Sequence, residues 1–329
     1  MITREELVLS PELKASKAIG CLCGLAIGDG LGDAARKQEN RVNYGLTTDF
    51  GKGDSWSTDD TEFAMLTART LIRCKGKLTT QDVVDAWLSD VAVQDEFKRG
   101  GQSEIAAARN LLMGLRPPQS GMFNTYHMSD GTAMRISPVG IICAGQPERA
   151  ARLAETDASI SHFRDGIWGA QTVAAAVSMA MVDADIDLLI DTAMRFMPRD
   201  SWLYHNMTVA LDIVDQAKGR VIDCWMRLHD AILASTWSTT AEAIPAAFAC
   251  LKLSHNDFKS GLVLAANFGR DADTIAAVAG AVLGARFGAQ AIPADWIEKT
   301  RHPAGTCLQF TRGMDVVECA KELAKLIDN

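Results

Sequence analysis

The sequence lacks several features that would point to other classes of protein. There is no basic excess. Lys and Arg total 33 against 41 Asp and Glu, a formal net charge of -8. The Lys/Arg face that neutralises nucleic-acid phosphates is therefore missing, and no nucleic-acid partner is expected. No CxxC pair occurs. Cys21 and Cys23 sit in an apolar run, and Cys74, Cys143, Cys224, Cys250, Cys307 and Cys319 are scattered, which reads as free thiols in a reducing compartment rather than a disulfide framework or a zinc site. The opening MITREELVLSPELK has no apolar core of a secretory signal. The longest uncharged run, Gly166 to Val182, is short for a membrane span and is better read as a buried helix. A cytoplasmic protein with no membrane partner is the expectation. Sustained alternation of apolar and polar residues is scarce, no repeat of fixed period stands out, and no Pro/Ser-rich linker divides the chain. These absences favour one all-α domain over 1–329.

Helix signals fill the chain. Ser10 followed by Pro11 is a cap and first turn opening a helix predicted through Ala26. Thr79 with Asp82 opens another, whose Val83, Val84, Trp87, Leu88 and Val91 keep helical spacing. Similar stretches lie near 60–74, 102–115, 147–156, 166–182, 187–197, 201–217, 220–235, 240–252, 256–267, 274–287 and 314–327. Two segments break the pattern: Gly28 to Ser57, with six glycines, and Gly114 to Pro138, with Pro117-Pro118, Gly121 and Gly131. Long irregular stretches in a compact fold usually carry function, and both are expected to line one cleft.

Two constellations can carry chemistry. Ser57-Thr58-Asp59-Asp60-Thr61 stands at a helix start, where one Asp as a cap explains one carboxylate but not two. Asn267-Phe268-Gly269-Arg270-Asp271-Ala272-Asp273-Thr274 starts a second helix, with Gly269 as the terminator of the helix before it. That second helix puts Ala276, Gly280 and Gly284 on one face, open to close approach, and is uncharged until Arg286. A buried helix whose first turn holds two carboxylates needs something to pair with them. Together the motifs offer Thr58, Asp59, Asp60, Asp271, Asp273 and Thr274, all oxygen donors without His or Cys. Such a set suits Mg²⁺ or Mn²⁺ rather than Zn²⁺, and four carboxylates are enough to balance two divalent ions.

In order along the chain, GLAIGDGLG at 24–32, STDDT at 57–61, GTAMRISPVG at 131–140, SH at 161–162 and GRDADTIAAVAGAVLGA at 269–285 make the sequence resemble the ADP-ribosylglycohydrolase family. The resemblance implies an all-α orthogonal bundle with a centre of two Mg²⁺ ions, sometimes Mn²⁺. It implies that Thr58, Asp59, Asp60, Asp271, Asp273 and Thr274 fall on the family's metal ligands. Gly131, Thr132 and Met134 would fall on the loop that holds ADP-ribose, His162 on a substrate-contacting histidine, and Gly100-Gly101 on a glycine-containing substrate loop. There are departures. Where many relatives carry a Glu shortly after a GDALG-like motif, this chain has Arg36, with Glu39 close by. Ser129-Asp130 stands for a Gly-Asn, and Gly269-Arg270-Asp271 for a Gly-Gly-Asp. Arg270 could meet a substrate phosphate or a neighbouring carboxylate.

The implied reaction is hydrolysis of a ribosyl glycosidic bond, with removal of ADP-ribose from a modified protein side chain, arginine foremost, as the leading reading. Asp60 is the candidate proton handler beside its ligand role, and Asp95 and Glu96 are candidate acids. A small ADP-ribosylated or ribosylated metabolite is the alternative substrate. A non-catalytic binding or structural protein on the same fold is the third reading, disfavoured because all six ligand positions are retained. His127 and His205, and Trp202 with Tyr204 as an adenine platform, are weaker candidates.

Overall fold

The centre of the molecule is set by glycines four residues apart. In the computed structural model, which describes residues 1–37, 42, 45–51, 57–94 and 97–327, the helix Pro11–Arg36 starts as its sequence dictates. Ser10 accepts a hydrogen bond from the Leu13 amide, and Pro11 occupies the first turn. The helix then continues ten residues past the predicted end at Ala26, so Gly28 to Arg36 is helix rather than irregular chain. Glycine is a poor helix former in water, and packing reverses that preference here. Gly20, Gly24, Gly28 and Gly32 face the backbone of the helix Ala272–Phe287 at Gly284, Gly280, Ala276 and Ala272 respectively. A Cβ on Gly24 would lie 2.2 Å from the Gly280 carbonyl oxygen, and one on Gly28 would lie 2.1 Å from that of Ala276. The two helices run antiparallel with their backbones in contact. Near one end of this seam the buried Lys17 donates to the Arg286 and Ala285 carbonyls at 2.7 and 3.2 Å, a cation on the C-terminal turn of the partner helix.

Around this pair stand Phe258–Ala266 and Val316–Ala324, while Asp165–Ala180, the mostly buried helix expected from the Gly166–Val182 run, packs on Ser137–Ile142 and Pro147–Ala158. Trp202–Gln216 lies against Thr240–Leu253. The described residues form 17 α-helices, two short 3₁₀ turns and no strand beyond one isolated bridge, Ser129 to Thr239, the all-α architecture expected. Pro11–Arg36 is the one helix among the described residues long and apolar enough to cross a membrane by length and composition, and its apolar window is 94% buried inside the bundle. The second irregular stretch holds a short helix, Gln119–Met122, then turns that lead into the helix Ser137–Ile142 at its end.

Candidate metal centre and substrate cleft

The antiparallel seam brings the C-terminal end of Pro11–Arg36 beside the first turn of Ala272–Phe287, and the helix Asp59–Arg73 points its own N-terminus at the same place. Thr58 caps that helix, its hydroxyl accepting from the Asp60 amide at 3.3 Å. Asp29, from the glycine-rich helix, holds the cap from outside: its Oδ2 accepts from the Thr58 amide at 2.9 Å, the Thr61 amide at 3.2 Å and the Thr61 hydroxyl at 2.5 Å. One carboxylate oxygen each from Asp29, Asp60 and Asp273 then lies within 4.8 Å of the others. Two motifs more than two hundred residues apart in sequence meet here.

Asp60 and Asp273 lie on one side of a cleft of about 440 Å³, a volume within the usual range of small-ligand sites, with Asp29 buried behind them. Asp59, Asp60, Asp271, Asp273 and Thr274 line it, as do Gly100, Gly101, Gly131 and Met134. Thr58 is buried behind them with its hydroxyl 3.2 Å from Asp60 Oδ2. Two of the expected substrate residues do not reach the cleft. Thr132 is fully buried and donates to the Gly166 carbonyl. His162 is also fully buried, 2.9 Å from the Ser129 hydroxyl and 2.8 Å from that of Ser161. It supports Ser129, which does line the cleft, so it lies one residue behind the surface a ligand would touch. Burial, then the nearby Arg135, hold its imidazole pKa well below the ordinary value, so it is neutral. His127, His205, Trp202 and Tyr204 are not among the lining residues. Asp95, Glu96 and Glu39 lie outside the described residues.

Sequence reasoning missed three acids. Asp29 had a readable signal, a carboxylate between glycines on an apolar helix. Asp130 had been noted only as a departure from the family pattern. Glu104 had no distinctive signal, because an acid in the first turn of a helix, here Gln102–Leu112, is ordinary dipole complementarity. In the structure Glu104 is buried between two glycines. A Cβ on Gly101 would fall 2.3 Å from its Oε2, and one on Gly131 would fall 2.2 Å from its Oε1. The Ser103 hydroxyl donates to Oε2 at 2.6 Å. Beneath the loop the fully buried Arg135 donates to the Gly131 carbonyl at 3.1 Å and to Asp157 at 2.8 Å. Gly131 is thus glycine because Glu104 leaves no room, a reason different from the open approach to a diphosphate that the sequence suggested. Gly131→Ala is expected to push Glu104 out of place and raise KM roughly tenfold or more, with the melting temperature little changed. Unaltered kinetics in that variant would remove the loop from the site.

The electrostatics ask for a cation. Burial, followed by repulsion from the neighbouring acids, raises Asp59, Asp60 and Asp271 well above the usual carboxylate range. The same causes take Asp29 to about 6, and burial above all takes Asp130 to about 7. Asp29 Oδ1, Asp60 Oδ1 and Asp130 Oδ2 are buried without any hydrogen-bond partner, while Glu104 Oε1 has the Arg135 guanidinium at 3.5 Å. Unpartnered buried carboxylate oxygens are costly, and hard divalent cations are the species that satisfy them in a set without nitrogen or sulfur donors. The donor set fits such ions.

A pH dependence follows. A carboxyl whose folded pKa lies above its unfolded value binds its proton better in the folded state, so the stability it contributes is lost as pH rises through the folded value. For Asp29 and Asp130 the window runs from the ordinary carboxylate value of 3.8 to about 6 and about 7. Chelator-treated protein is therefore expected to lose melting temperature between about pH 4 and pH 7, the reverse of ordinary acid denaturation, and added Mg²⁺ should suppress the loss. A metal-free melting temperature that rises across this window would contradict the arrangement.

The described residues form an all-helical fold with an acidic cluster beside a glycine-framed cleft, and the comparisons with known proteins identify its class. The family model ADP-ribosylglycohydrolase matches residues 10–328, and the chain belongs to that family, which includes relatives named as hydrolases of ADP-ribosyl linkages. It is 27% identical over 304 residues to the ADP-ribosylarginine hydrolase Tri1 of Pseudomonas putida, covering 88% of this chain and 76% of the relative. It is 24% identical over 298 residues to the ADP-ribosyl-[dinitrogen reductase] glycohydrolase of Rhodospirillum rubrum, covering 86% and 90%. Among solved structures, one described as an ADP-ribosylglycohydrolase-related protein complex superposes with a TM-score of 0.68 at 22% identity, covering 95% of this chain and 99% of that one. That likeness concerns the fold.

Proposed function

We propose that this protein is a cytoplasmic, Mg²⁺-dependent ADP-ribosyl hydrolase, active as one domain over 1–329. It would remove ADP-ribose from modified protein side chains, with arginine the favoured acceptor, and without nucleic-acid or membrane partners. The observation that carries the reading is the convergence of Asp59 and Asp60 with Asp271 and Asp273 on one cleft, completed by Asp29. The arginine assignment draws on the name of the Pseudomonas putida relative. Thr58, Asp59, Asp60, Asp271, Asp273 and Thr274 would hold two Mg²⁺ ions, which Mn²⁺ could replace. When bound, the ions supply Lewis-acid polarisation and a more acidic bound water.

The chain's own residues do the rest. Cleavage at the anomeric carbon passes through an oxocarbenium-like state, so the ribose must be held still and water admitted from one side. Gly131 and Met134 with Gly100 and Gly101 form the walls that orient the sugar, and Glu104, between them, offers an acceptor oxygen to a ribose hydroxyl. Asp60, whose Oδ2 meets the Thr58 hydroxyl, would take the proton of the attacking water and return it to the departing side chain. Arg270 is not free to meet a phosphate: it donates to Glu242 Oε1 at 2.5 Å and Oε2 at 2.9 Å. A turnover panel tests the assignment. ADP-ribosylated arginine in protein is expected to be hydrolysed in the presence of Mg²⁺, and free ribosides and ADP-ribosylated small molecules much more slowly. Turnover of the small molecules alone would reverse the substrate class, and turnover of none with any metal would leave a binding protein.

A further inference from the structure

The fit of divalent ions to this cleft meets one obstacle on the chain itself, the side chain of Arg36. Its guanidinium lies inside the acidic centre, where one nitrogen donates to Asp271 Oδ1 at 3.0 Å and to Asp273 Oδ1 at 2.6 Å. The second donates to Asp33 Oδ1 at 3.3 Å. Asp33 is buried, and although burial alone would raise its pKa, Arg99, Lys37 and Arg36 keep the carboxyl below the usual range. Arg36 is thus anchored on the buried Asp33 carboxylate while it reaches across two acids from the opposite helix. The Trp237 ring, half exposed at the cleft, lies 5.3 Å from its guanidinium carbon, a distance at which a cation is attracted to the ring face.

We infer that Arg36 is a built-in counter-cation that competes with a divalent ion for Asp271 and Asp273, so that one of the two ion-binding steps is weakened by the need to displace it. The inference rests on the metal-dependent reading of the site. Its physical basis is exclusion of one cation by another. A guanidinium nitrogen in hydrogen-bond contact with both acids stands on the lone pairs an ion would use, and a positive charge a few ångströms away opposes the ion's arrival. In the metal-free protein the same contacts place a positive charge beside Asp271, which burial and then repulsion from neighbouring acids, Asp273 among them, would otherwise leave unbalanced. Arg36 therefore stabilises the empty site and resists the filled one.

Calorimetric titration of Mg²⁺ into chelator-stripped wild type and Arg36→Gln separates the possibilities, with thermal melts in EDTA and in saturating Mg²⁺ alongside. The wild type is expected to show one tight and one weaker step, and the variant to tighten the weaker step roughly tenfold or more. The melting temperature of Arg36→Gln should fall in EDTA and recover in Mg²⁺, giving a larger metal response than wild type. A wild type that binds no divalent ion would sink the metal reading itself. A wild type that binds, beside a variant with the same affinities and the same metal response, would overturn the role of Arg36 alone. Should Arg36→Gln not survive stripping, tryptophan fluorescence of the wild type decides. Mg²⁺ is expected to change emission by moving the guanidinium off Trp237, and Trp237→Phe should remove that change. Emission that is indifferent to Mg²⁺ at concentrations that saturate binding counts against displacement.

Discussion

Asp273→Asn is expected to abolish most of the catalytic activity and most of the thermal stabilisation by Mg²⁺, with a loss in kcat/KM on the order of 10³-fold, equivalent to about 4 kcal/mol of transition-state stabilisation. Asp273 is the residue on which both halves of the centre depend. It shares the three-carboxylate cluster with Asp29 and Asp60, and after burial, the main cause, its repulsion contributes to raising Asp59, Asp60, Asp130 and Asp271. An amide in its place keeps the shape and the helix start but removes one anionic ligand. Ion affinity falls, and with it the stabilisation that binding confers, which scales as RT ln(1 + [L]/Kd). Without metal the effect is expected to be small: loss of a buried charge that repels its neighbours is offset by loss of its ion pair with Arg36, so the melting temperature in EDTA should change little. Asp59→Asn should repeat the loss of activity from the other motif. An Asp273→Asn protein that bound Mg²⁺ like wild type and kept its turnover would reduce the residue to a first-turn acid on a helix.

Gly28→Val is expected to prevent folding or to lower stability by about 3 kcal/mol or more, the upper end of the cost of overpacking. In an isolated helix the exchange of glycine for a residue with a side chain is favourable, by about 1 kcal/mol for alanine. Here the new Cβ would stand 2.1 Å from the Ala276 carbonyl oxygen and 2.3 Å from its carbon. Backbone cannot rotate out of the way as a side chain can, so the two helices must separate along the whole seam. Gly24→Ala, facing the Gly280 carbonyl at 2.2 Å, should show a smaller loss of the same origin. Gly51→Ala, where the added carbon would meet nothing within 4 Å, serves as the control and should leave the melting temperature unchanged. Separation would also carry Asp29 away from Asp273, so any soluble Gly28→Val protein should respond weakly to Mg²⁺. A melting temperature equal to wild type would mean that the helices are not in backbone contact.

The sequence by itself determined the helical class, most of the helices and the two acidic motifs, because these are local properties. Period, capping residues and the chemistry of adjacent side chains are written in a few consecutive positions, as at Ser10-Pro11, at Thr79 with Asp82 and at Thr58-Asp59-Asp60. The end of the first long helix was not local. Gly28, Gly30 and Gly32 read as chain-breaking residues, and the backbone of Ala272–Phe287, packed where side chains at Gly28 and Gly32 would be, keeps this stretch helical. The same seam made Asp29 part of the site and gave Arg36 the two acids it bridges, neither of which spacing along the chain reveals. Tertiary structure likewise decided that Glu104 is the reason for Gly101 and Gly131, that Arg270 is occupied by Glu242, and that Thr132 and His162 stand behind the cleft wall. In each case a residue type is visible in the sequence, while its role depends on which distant group fills the space or shares the charge beside it.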